Sequence, residues 1–269
     1  MGGPVRAPAA PYSSGMDTPA RPPGELHGDA ATVVLLRDGR AGVEALLLER
    51  PGHRGSFAGA WVFPGGRIDE GDERLAGRFA ADHGSAKIAA IRETIEETAV
   101  PAGLAAPPRP EHCLDIQAAL AAGQEFDEIV DQAGLALDLD ALTPLARWVP
   151  RFHAKRRFDT LFFVARVPDG DWQPNVFVRE CSGAHWASAA EVLERDRAGE
   201  LQLIFPTRRT LERLAQHASY DEIVADARAH EIDPISPWVD EVGGERFITI
   251  PDGIGFPVTR ERLEGLWRG

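Results

Sequence analysis

One amphipathic helix constrains this chain more than any other segment. After Ser85, apolar residues recur at steps of three and four, at Ile88, Ile91, Ile95 and Ala99. This spacing puts them on one face of an α-helix, and the same geometry gathers three carboxylates on a different face, those of Glu93, Glu96 and Glu97. Like charges at such spacings cost an isolated helix about 0.2–0.5 kcal/mol per pair, so a cation is a natural partner for the patch. Carboxylate oxygens are suitable ligands for Mg²⁺ or Mn²⁺. For a helix considered alone, the simpler alternative is that the acidic face is solvated and binds no metal.

The patterns on either side of this helix predict an α/β fold. Apolar runs over 32–36 and 43–48, separated by the turn Arg37-Asp38-Gly39, predict a β-hairpin, and a Gly-rich loop over 50–66 follows it. Short helical patterns lie between about 116 and 133. Strands are predicted over 143–149, 158–167 and just before Trp186, and helices over 189–194 and 206–218. A further helix follows Tyr220, before Pro- and Gly-rich turns around 248–250.

Composition and charge narrow the classes of function. The chain has 29 Lys and Arg against 42 Asp and Glu, a formal net charge of −13, which disfavours binding to nucleic acid and to anionic membranes. No apolar run approaches the ~18–20 residues that span a bilayer, and the first residues lack the apolar core of a signal peptide. Two cysteines, Cys113 and Cys181, are too few for a disulfide framework and are expected in the core. We therefore expect a soluble, cytoplasmic protein with neither a nucleic-acid partner nor a membrane partner.

The domain organisation follows from the length of the chain and the distribution of proline. With 269 residues, of which 43% are hydrophobic, the chain can form one large domain with a sizeable core. Residues 1–28 are rich in proline and lack a periodic apolar pattern, so we expect a disordered tail there. We expect the main domain over 29–218 and a C-terminal extension over 219–269 that packs on it.

The residues around the acidic helix resemble the Nudix box. That motif reads Gly, five residues, Glu, seven residues, Arg-Glu-U-x-Glu-Glu-x-Gly-U, where U is bulky and apolar. This chain has Gly66, then Asp72, then Arg92-Glu93-Thr94-Ile95-Glu96-Glu97-Thr98-Ala99-Val100. Asp72 stands in place of Glu, Thr94 in place of an apolar residue and Ala99 in place of Gly. Nineteen residues rather than seven separate Asp72 from Arg92, so an insertion of twelve lies within 73–84.

An insertion at this point is similar to one in the coenzyme A diphosphatase-like branch of the Nudix family, which is related to the peroxisomal Nudix hydrolases of animals. The segment from Leu47 to Gly66 also resembles a signature of that branch, with Glu49 in place of a Thr. Gly55 stands in place of an Arg, and Arg54 lies one residue early. Further similarity at 148–150, 157–163 and 205–207 extends the resemblance over most of 31–250.

The resemblance implies the Nudix fold, an α/β architecture in which a mixed β-sheet is sandwiched between helices. It implies a metal-dependent diphosphatase that cleaves coenzyme A or acyl-coenzyme A into phosphopantetheine and adenosine bisphosphate. Mg²⁺ or Mn²⁺ would be held by Glu93 and Glu97, with Glu96 as a third ligand and the backbone of Gly66 beside the metal. Arg92 would orient a glutamate. Asp72, one methylene shorter than the family Glu, would have a supporting role, with the neighbouring Glu73 as a substitute.

The remaining site residues follow from the same resemblance and from charge. Glu180, six residues before Trp186, stands where several Nudix proteins carry the general base, and a solvated loop carboxylate is the alternative. Five further residues are candidates for substrate binding, because guanidinium groups match phosphate oxygens and aromatic rings stack on bases. They are Arg151, Arg157 and Phe158 in the basic segment, and Arg50 and Arg54 near the Gly-rich turn. A solvated strand edge is the alternative for the basic segment.

Two other functions stay open at this point. The mismatches at Glu49 and Gly55 leave an ADP-ribose or other nucleotide-sugar pyrophosphatase as a rival within the same class. The changes at Asp72 and Ala99 leave a Nudix domain that senses a nucleotide without turning it over. In each case the partner is a small molecule with a nucleoside diphosphate linkage. The sequence leaves both a monomer and a homodimer open, since many relatives dimerise.

Overall fold

A computed structural model describes residues 26, 28–40, 42–52, 59–150, 157–177 and 181–263. The helices in this part of the chain are α1 (Glu70–Ala76), α2 (Gly84–Thr98), α3 (Pro110–Ala121), α4 (Phe126–Ala133), α5 (Ala189–Arg197), α6 (Phe205–Leu214) and α7 (Tyr220–Arg228). The strands are β1 (Asp29–Gly39), β2 (Gly42–Glu49), β3 (Ala60–Val62), β4 (Gly65–Arg67), β5 (Thr143–Trp148), β6 (Asp159–Arg166), β7 (Gly183–Ser188), β8 (Gln202–Leu203), β9 (Pro234–Ile235), β10 (Trp238–Val242), β11 (Glu245–Thr249) and β12 (Arg260–Arg262). A short 3₁₀ helix covers Leu139–Ala141.

The described strands form a mixed sheet around β1 and a smaller sheet near the C-terminal end. The order in the larger sheet is β8, β3, β2, β1, β6, β5 and β9, with β4 beside β1 and β7 beside β2. Strand β1 runs antiparallel to β2 and β4 and parallel to β6. Strands β10, β11 and β12 make the smaller antiparallel sheet.

Strand β1 separates two hydrophobic cores because successive side chains of a strand point to opposite faces of the sheet. Val33 and Leu35 face one core, which buries apolar residues of α2, α3 and α4. Val34 and Leu36 face the other core, which buries residues of α5, α6 and α7. The architecture is therefore α/β with a mixed sheet between helices, as the sequence predicted.

The residues after 219 contribute to the second core. Ile223 and Ala227 of α7 and Ile235 of β9 are buried there, and β9 adds to β5 in parallel. The boundary between a main domain and an extension at this point stays a prediction, as does a disordered tail, since residues 1–25 lie outside the described part of the chain.

Most longer elements agree with the sequence patterns. The hairpin of β1 and β2 and the helix α2 are confirmed, and Ile88, Ile91 and Ile95 are fully buried. Both Cys113 and Cys181 are buried, as predicted. None of the helices in the described ranges is long and apolar enough to cross a membrane.

The differences lie in short elements and at element ends. The segment over 50–66 was predicted as a loop, but β3 and the start of β4 lie within it, because three-residue strands give too few alternations for a pattern. Helix α3 begins at Pro110, ahead of the predicted start, since proline is well placed in a first helical turn. Strand β7 runs through Trp186 instead of ending before it, and α6 ends at Leu214 instead of near 218.

Replacement of Ile91 by Ala tests the packing of α2 on the sheet. Ile91 is 0% exposed, so we expect a loss of about 2–5 kcal/mol in the free energy of unfolding, measured by urea denaturation. The control is Leu114→Ala on α3, where the side chain is 44% exposed and a change below about 0.5 kcal/mol is expected. Equal losses from both variants would contradict the buried position of Ile91.

Candidate active site

The acidic patch of α2 lies directly against two glycines of β4. The backbone N–H of Gly65 donates a hydrogen bond of 2.9 Å to Oε2 of Glu97. A methyl group on Gly66 would collide with the carboxylate of Glu93. The two glutamates therefore flank the Gly65–Gly66 backbone, which is the juxtaposition that the sequence predicted for a metal site.

The close approach of β4 to β1 explains the first glycine. Gly65 pairs with Thr32 and has a positive φ of 156°. A side chain at Gly65 would run into the carbonyl oxygen of Ala31 on the neighbouring strand. Glycine removes this conflict, so β4 can carry its backbone N–H to within hydrogen-bonding distance of α2.

Arg92 connects the patch to its surroundings through all three of its nitrogens. Its Nε and Nη2 donate to the carboxylate of Asp72 at 3.0 and 2.9 Å. Its Nη1 donates to Oε1 of Glu93 at 2.9 Å and to Oε2 of Glu96 at 3.1 Å. Nη2 also donates to the carbonyl oxygen of Arg67 at 2.8 Å, which ties α2 to the end of β4. Arg92 thus contacts two of the glutamates, and its role in orienting them for catalysis stays a prediction.

Asp72 is the buried partner of Arg92. It is 1% exposed, it also accepts a hydrogen bond of 2.9 Å from the backbone N–H of Asp69, and Arg92 is itself 6% exposed. Charge-assisted, bidentate pairs of this kind are the stronger hydrogen bonds of proteins. Glu73, considered as a substitute for Asp72, is exposed. The shorter Asp side chain therefore supports Arg92 in the structure.

The twelve-residue insertion packs on α4. The final turn of α1 lies within it, and Arg74 of α1 binds Asp127 at 2.9 Å and Glu125 at 3.1 Å. Arg78, after α1, binds Asp131 of α4 at 2.6 Å. The insertion thereby forms a part of the protein surface beside the acidic patch.

Burial changes the acidity of the patch. Burial raises the pKa of Glu93 to about 7, against the opposing charge of Arg92 and with help from the charge of Glu96. Burial lowers the pKa of Arg92, but the hydrogen bonds to Asp72 and the charge of Glu93 raise it by more. The pKa of Arg92 therefore lies above its usual range. Arg92 is therefore a permanent cation beside a carboxyl group whose charge depends on pH.

The donor atoms of the patch fit a hard divalent cation. Glu93, Glu96 and Glu97 offer carboxylate oxygens, and the backbone of Gly66 lies against Glu93. Within the described residues, however, no three His, Cys, Asp or Glu side chains are drawn together in a preformed metal cluster. Instead Arg92 binds Glu93 and Glu96, and the Gly65 N–H binds Glu97. Their service as metal ligands stays a proposal.

A cavity of about 400 Å³ opens beside Glu93 and Glu96. The start of α1 lines it at Asp69 and Gly71, and the connection between α3 and α4 lines the opposite side. The volume lies in the range of about 300–1,000 Å³ that is typical of small-molecule sites. The patch is therefore accessible from a space that accepts part of a small ligand.

The other predicted site residues lie away from these contacts or outside the described ranges. Arg54, Arg151 and Glu180 fall outside the residues that the structure describes. Arg50 is exposed directly after β2, while Arg157 and Phe158 lie just before β6. Their roles in binding or catalysis stay predictions.

Two amide residues near the patch were not foreseen. Gln117 of α3 is 1% exposed and donates to the carbonyl oxygens of Glu96 and Asn175, at 3.0 and 2.8 Å. The sequence gives no signal for this contact, because the two amide residues are 58 positions apart.

The α/β fold presents carboxylates beside a Gly-Gly backbone and next to a buried arginine, and the comparisons with known proteins connect this arrangement to hydrolases that act on diphosphate bonds. Residues 26–115 match the model of the NUDIX domain. This part of the chain is therefore similar to the Nudix hydrolases, a family whose members generally use divalent metal ions such as Mg²⁺ and Mn²⁺.

Two known proteins show how far the similarity extends. A NUDIX hydrolase from Alicyclobacillus acidocaldarius is 27% identical, with a TM-score of 0.65, and the match covers 75% of this chain and 96% of that one. Human acyl-coenzyme A diphosphatase NUDT19 is 25% identical over 257 residues, a match that covers 74% of this chain and 67% of the human protein. Both matches extend well beyond the residues of the domain model.

Removal of Asp72 tests its partnership with Arg92. Asp72→Ala leaves a buried guanidinium without its bidentate partner, so we expect a loss of about 3–5 kcal/mol in the free energy of unfolding. The matched control is the adjacent, exposed Glu73→Ala, which should change stability by less than about 0.5 kcal/mol. The free energy of unfolding of both variants is measured by urea denaturation. A large loss in the Glu73 variant with none in the Asp72 variant would reverse the two assignments.

The raised pKa of Glu93 predicts a pH dependence of the metal-free protein. The folded protein keeps a proton on Glu93 up to pH about 7, whereas the unfolded chain releases it near the ordinary value of 4.5. The contribution of Glu93 to the free energy of unfolding is therefore highest below pH 4.5, and it falls as the pH rises towards 7.

In Glu93→Gln this titration is absent. Relative to the wild type, the stability of that variant should rise by about 2 to 3 kcal/mol between pH 5 and 7.5, measured by denaturation in EDTA. A difference between the two proteins that stays constant with pH would show that Glu93 titrates normally.

Proposed function

We propose that this chain hydrolyses the diphosphate bond of coenzyme A or acyl-coenzyme A, releasing phosphopantetheine and adenosine bisphosphate, with Mg²⁺ or Mn²⁺ as the cofactor. The observation that carries the reaction type is the contact of Glu93 and Glu97 with the Gly65–Gly66 backbone. The substrate class rests on the similarity to the human acyl-coenzyme A diphosphatase.

In this proposal Glu93 and Glu97 hold the metal, with Glu96 as a third ligand and the backbone of Gly66 beside it. The divalent ion would supply charge neutralisation at the phosphate oxygens and would acidify the attacking water. Arg92 keeps Glu93 and Glu96 in place through its Nη1, while Asp72 keeps Arg92 in place. The protein thus supplies an oriented set of carboxylates next to a rigid backbone.

Proton transfer and substrate binding are assigned to residues outside the patch. Glu180 is the proposed general base, because its position before Trp186 resembles that of the base in several Nudix proteins. Arg50, Arg54, Arg151 and Arg157 are proposed to contact phosphate groups, and Phe158 to contact the base.

The second candidate is hydrolysis of ADP-ribose or another nucleotide sugar. It is favoured by Glu49 and Gly55, which depart from the coenzyme A signature. The same carboxylate patch would serve either substrate, since both contain a diphosphate linked to a nucleoside. Only the groups on either side of the diphosphate distinguish the two.

The decisive experiment identifies products by mass spectrometry. The pure protein is incubated with Mg²⁺ or Mn²⁺ and with coenzyme A, acetyl-coenzyme A or ADP-ribose, and each reaction is repeated in EDTA. We expect adenosine bisphosphate from the coenzyme A compounds and no product in EDTA. If the only product is AMP from ADP-ribose, the second candidate function is favoured over the first. Activity that persists in EDTA would refute the requirement for a divalent metal ion.

Replacement of Glu97 by Gln tests the patch directly. The variant keeps an oxygen that accepts the Gly65 N–H but loses the ligand charge, so the fold should persist while kcat falls by about 100-fold or more. This loss exceeds the roughly 10–100-fold effect of residues that only support metal ligands. The control is the exposed Glu111→Gln on α3, which should retain full activity. Unchanged kcat in the Glu97 variant would mean that the metal site lies elsewhere.

A further inference from the structure

The last turn of α2 carries Glu96 and Glu97 and ends without a capping side chain of its own. The last four carbonyl groups of any α-helix lack partners within the helix. Here Ala99 follows Thr98 with a positive φ of 56° and donates its N–H to the carbonyl of Ile95 at 2.8 Å. The carbonyls of Glu96 and Thr98 need partners from other parts of the chain.

Two distant segments supply those partners. Nε2 of Gln117 donates to the carbonyl oxygen of Glu96 at 3.0 Å, and the backbone N–H of Asn175 donates to that of Thr98 at 2.7 Å. Gln117 and Asn175 are also joined to each other, since Asn175 Nδ2 donates to Gln117 Oε1 at 2.6 Å and Gln117 Nε2 donates to the Asn175 carbonyl at 2.8 Å. We call this set of four hydrogen bonds the amide bridge.

The amide bridge holds the end of α2 from two directions. Gln117 is 1% exposed on α3, so its amide is fixed by its surroundings. On the other side, Trp172 anchors the segment that leads to Asn175, because its side chain is 8% exposed and packs in the same core as α2 and α3. Loss of the bridge would leave buried polar groups without partners, which favours fraying of the turn.

We propose that Gln117 is a positioning residue for the carboxylates of α2: through the amide bridge it fixes the turn that carries Glu96 and Glu97. This inference rests on the proposed function, in which those two glutamates hold the metal. Groups that orient metal ligands typically affect metal affinity or activity about 10–100-fold. Gln117 acts through the helix end, because its amide binds the backbone carbonyl of Glu96.

The test compares Gln117→Leu with Ile116→Ala on the same helix. Ile116 is 5% exposed in the core, so its truncation loosens α3 without removing a bond of the amide bridge. The Kd for Mn²⁺ is measured on the metal-free full chain by titration calorimetry, and kcat and KM are measured at saturating Mn²⁺. Melting temperatures of both variants report the general loss of stability.

We expect Gln117→Leu to weaken Mn²⁺ binding at least tenfold and to lower kcat, with KM changed by less than threefold, while Ile116→Ala keeps the wild-type Kd and kcat. Equal effects of the two variants on Kd, or an unchanged Kd in Gln117→Leu, would overturn the proposal. If Gln117→Leu does not fold, Gln117→Asn takes its place. Its amide is one methylene too short to reach both carbonyls, so the same weakening is expected.

Hydrogen exchange separates this inference from the proposed function. In the wild type, the amide proton of Asn175 should exchange slowly, and Gln117→Leu should speed its exchange while Ile116→Ala does not. A wild-type protein that binds no Mn²⁺ would refute the metal site. Unchanged exchange at Asn175 in Gln117→Leu would refute the amide bridge, whatever the protein hydrolyses.

Discussion

The buried ion pair between Arg92 and Asp72 is the interaction on which the candidate active site depends. A guanidinium that is 6% exposed has lost most of its hydration, so it must be paired where it lies. Asp72 supplies the bidentate partner, and the remaining donors reach Glu93, Glu96 and the carbonyl of Arg67. A single arginine thus connects α1, α2 and β4. The positions of two acidic side chains are consequences of its burial.

The same pair explains how the chain accommodates its insertion. Asp72 and Arg92 lie 20 positions apart and are in contact, and the inserted residues between them bind α4 through Arg74 and Arg78. Closing a longer loop costs little additional free energy, since the cost rises only with the logarithm of loop length. The insertion is therefore compatible with the contact between Asp72 and Arg92.

The contact between the glycines and the glutamates serves the proposed site but lowers the stability of the metal-free fold. Gly65 and Gly66 allow a backbone to touch α2 where any side chain would collide with Ala31 or Glu93. This approach buries Glu93 and raises its pKa to about 7, so the folded chain without metal holds a carboxyl group that resists ionisation. Carboxyl groups with a raised pKa are frequent at functional sites, and a bound cation would favour the ionised form of Glu93. The amide bridge at the C-terminal end of α2 then holds the last turn, which carries Glu97.

Local sequence patterns were enough to predict the elements with a long apolar run or a strong period, and a motif was enough to propose site residues. The continuous apolar run of β1 and the 3.6-residue period of Ile88, Ile91 and Ile95 reflect burial along each element, which a local pattern can record. The motif likewise identified Arg92 and the glutamates. The surroundings of these residues became visible only in the three-dimensional fold. They include the burial of Asp72 next to the exposed Glu73, the short strands β3 and β4, and the hydrogen bonds between Gln117 and Asn175. These features depend on contacts between segments far apart in the chain, and no local pattern records such contacts.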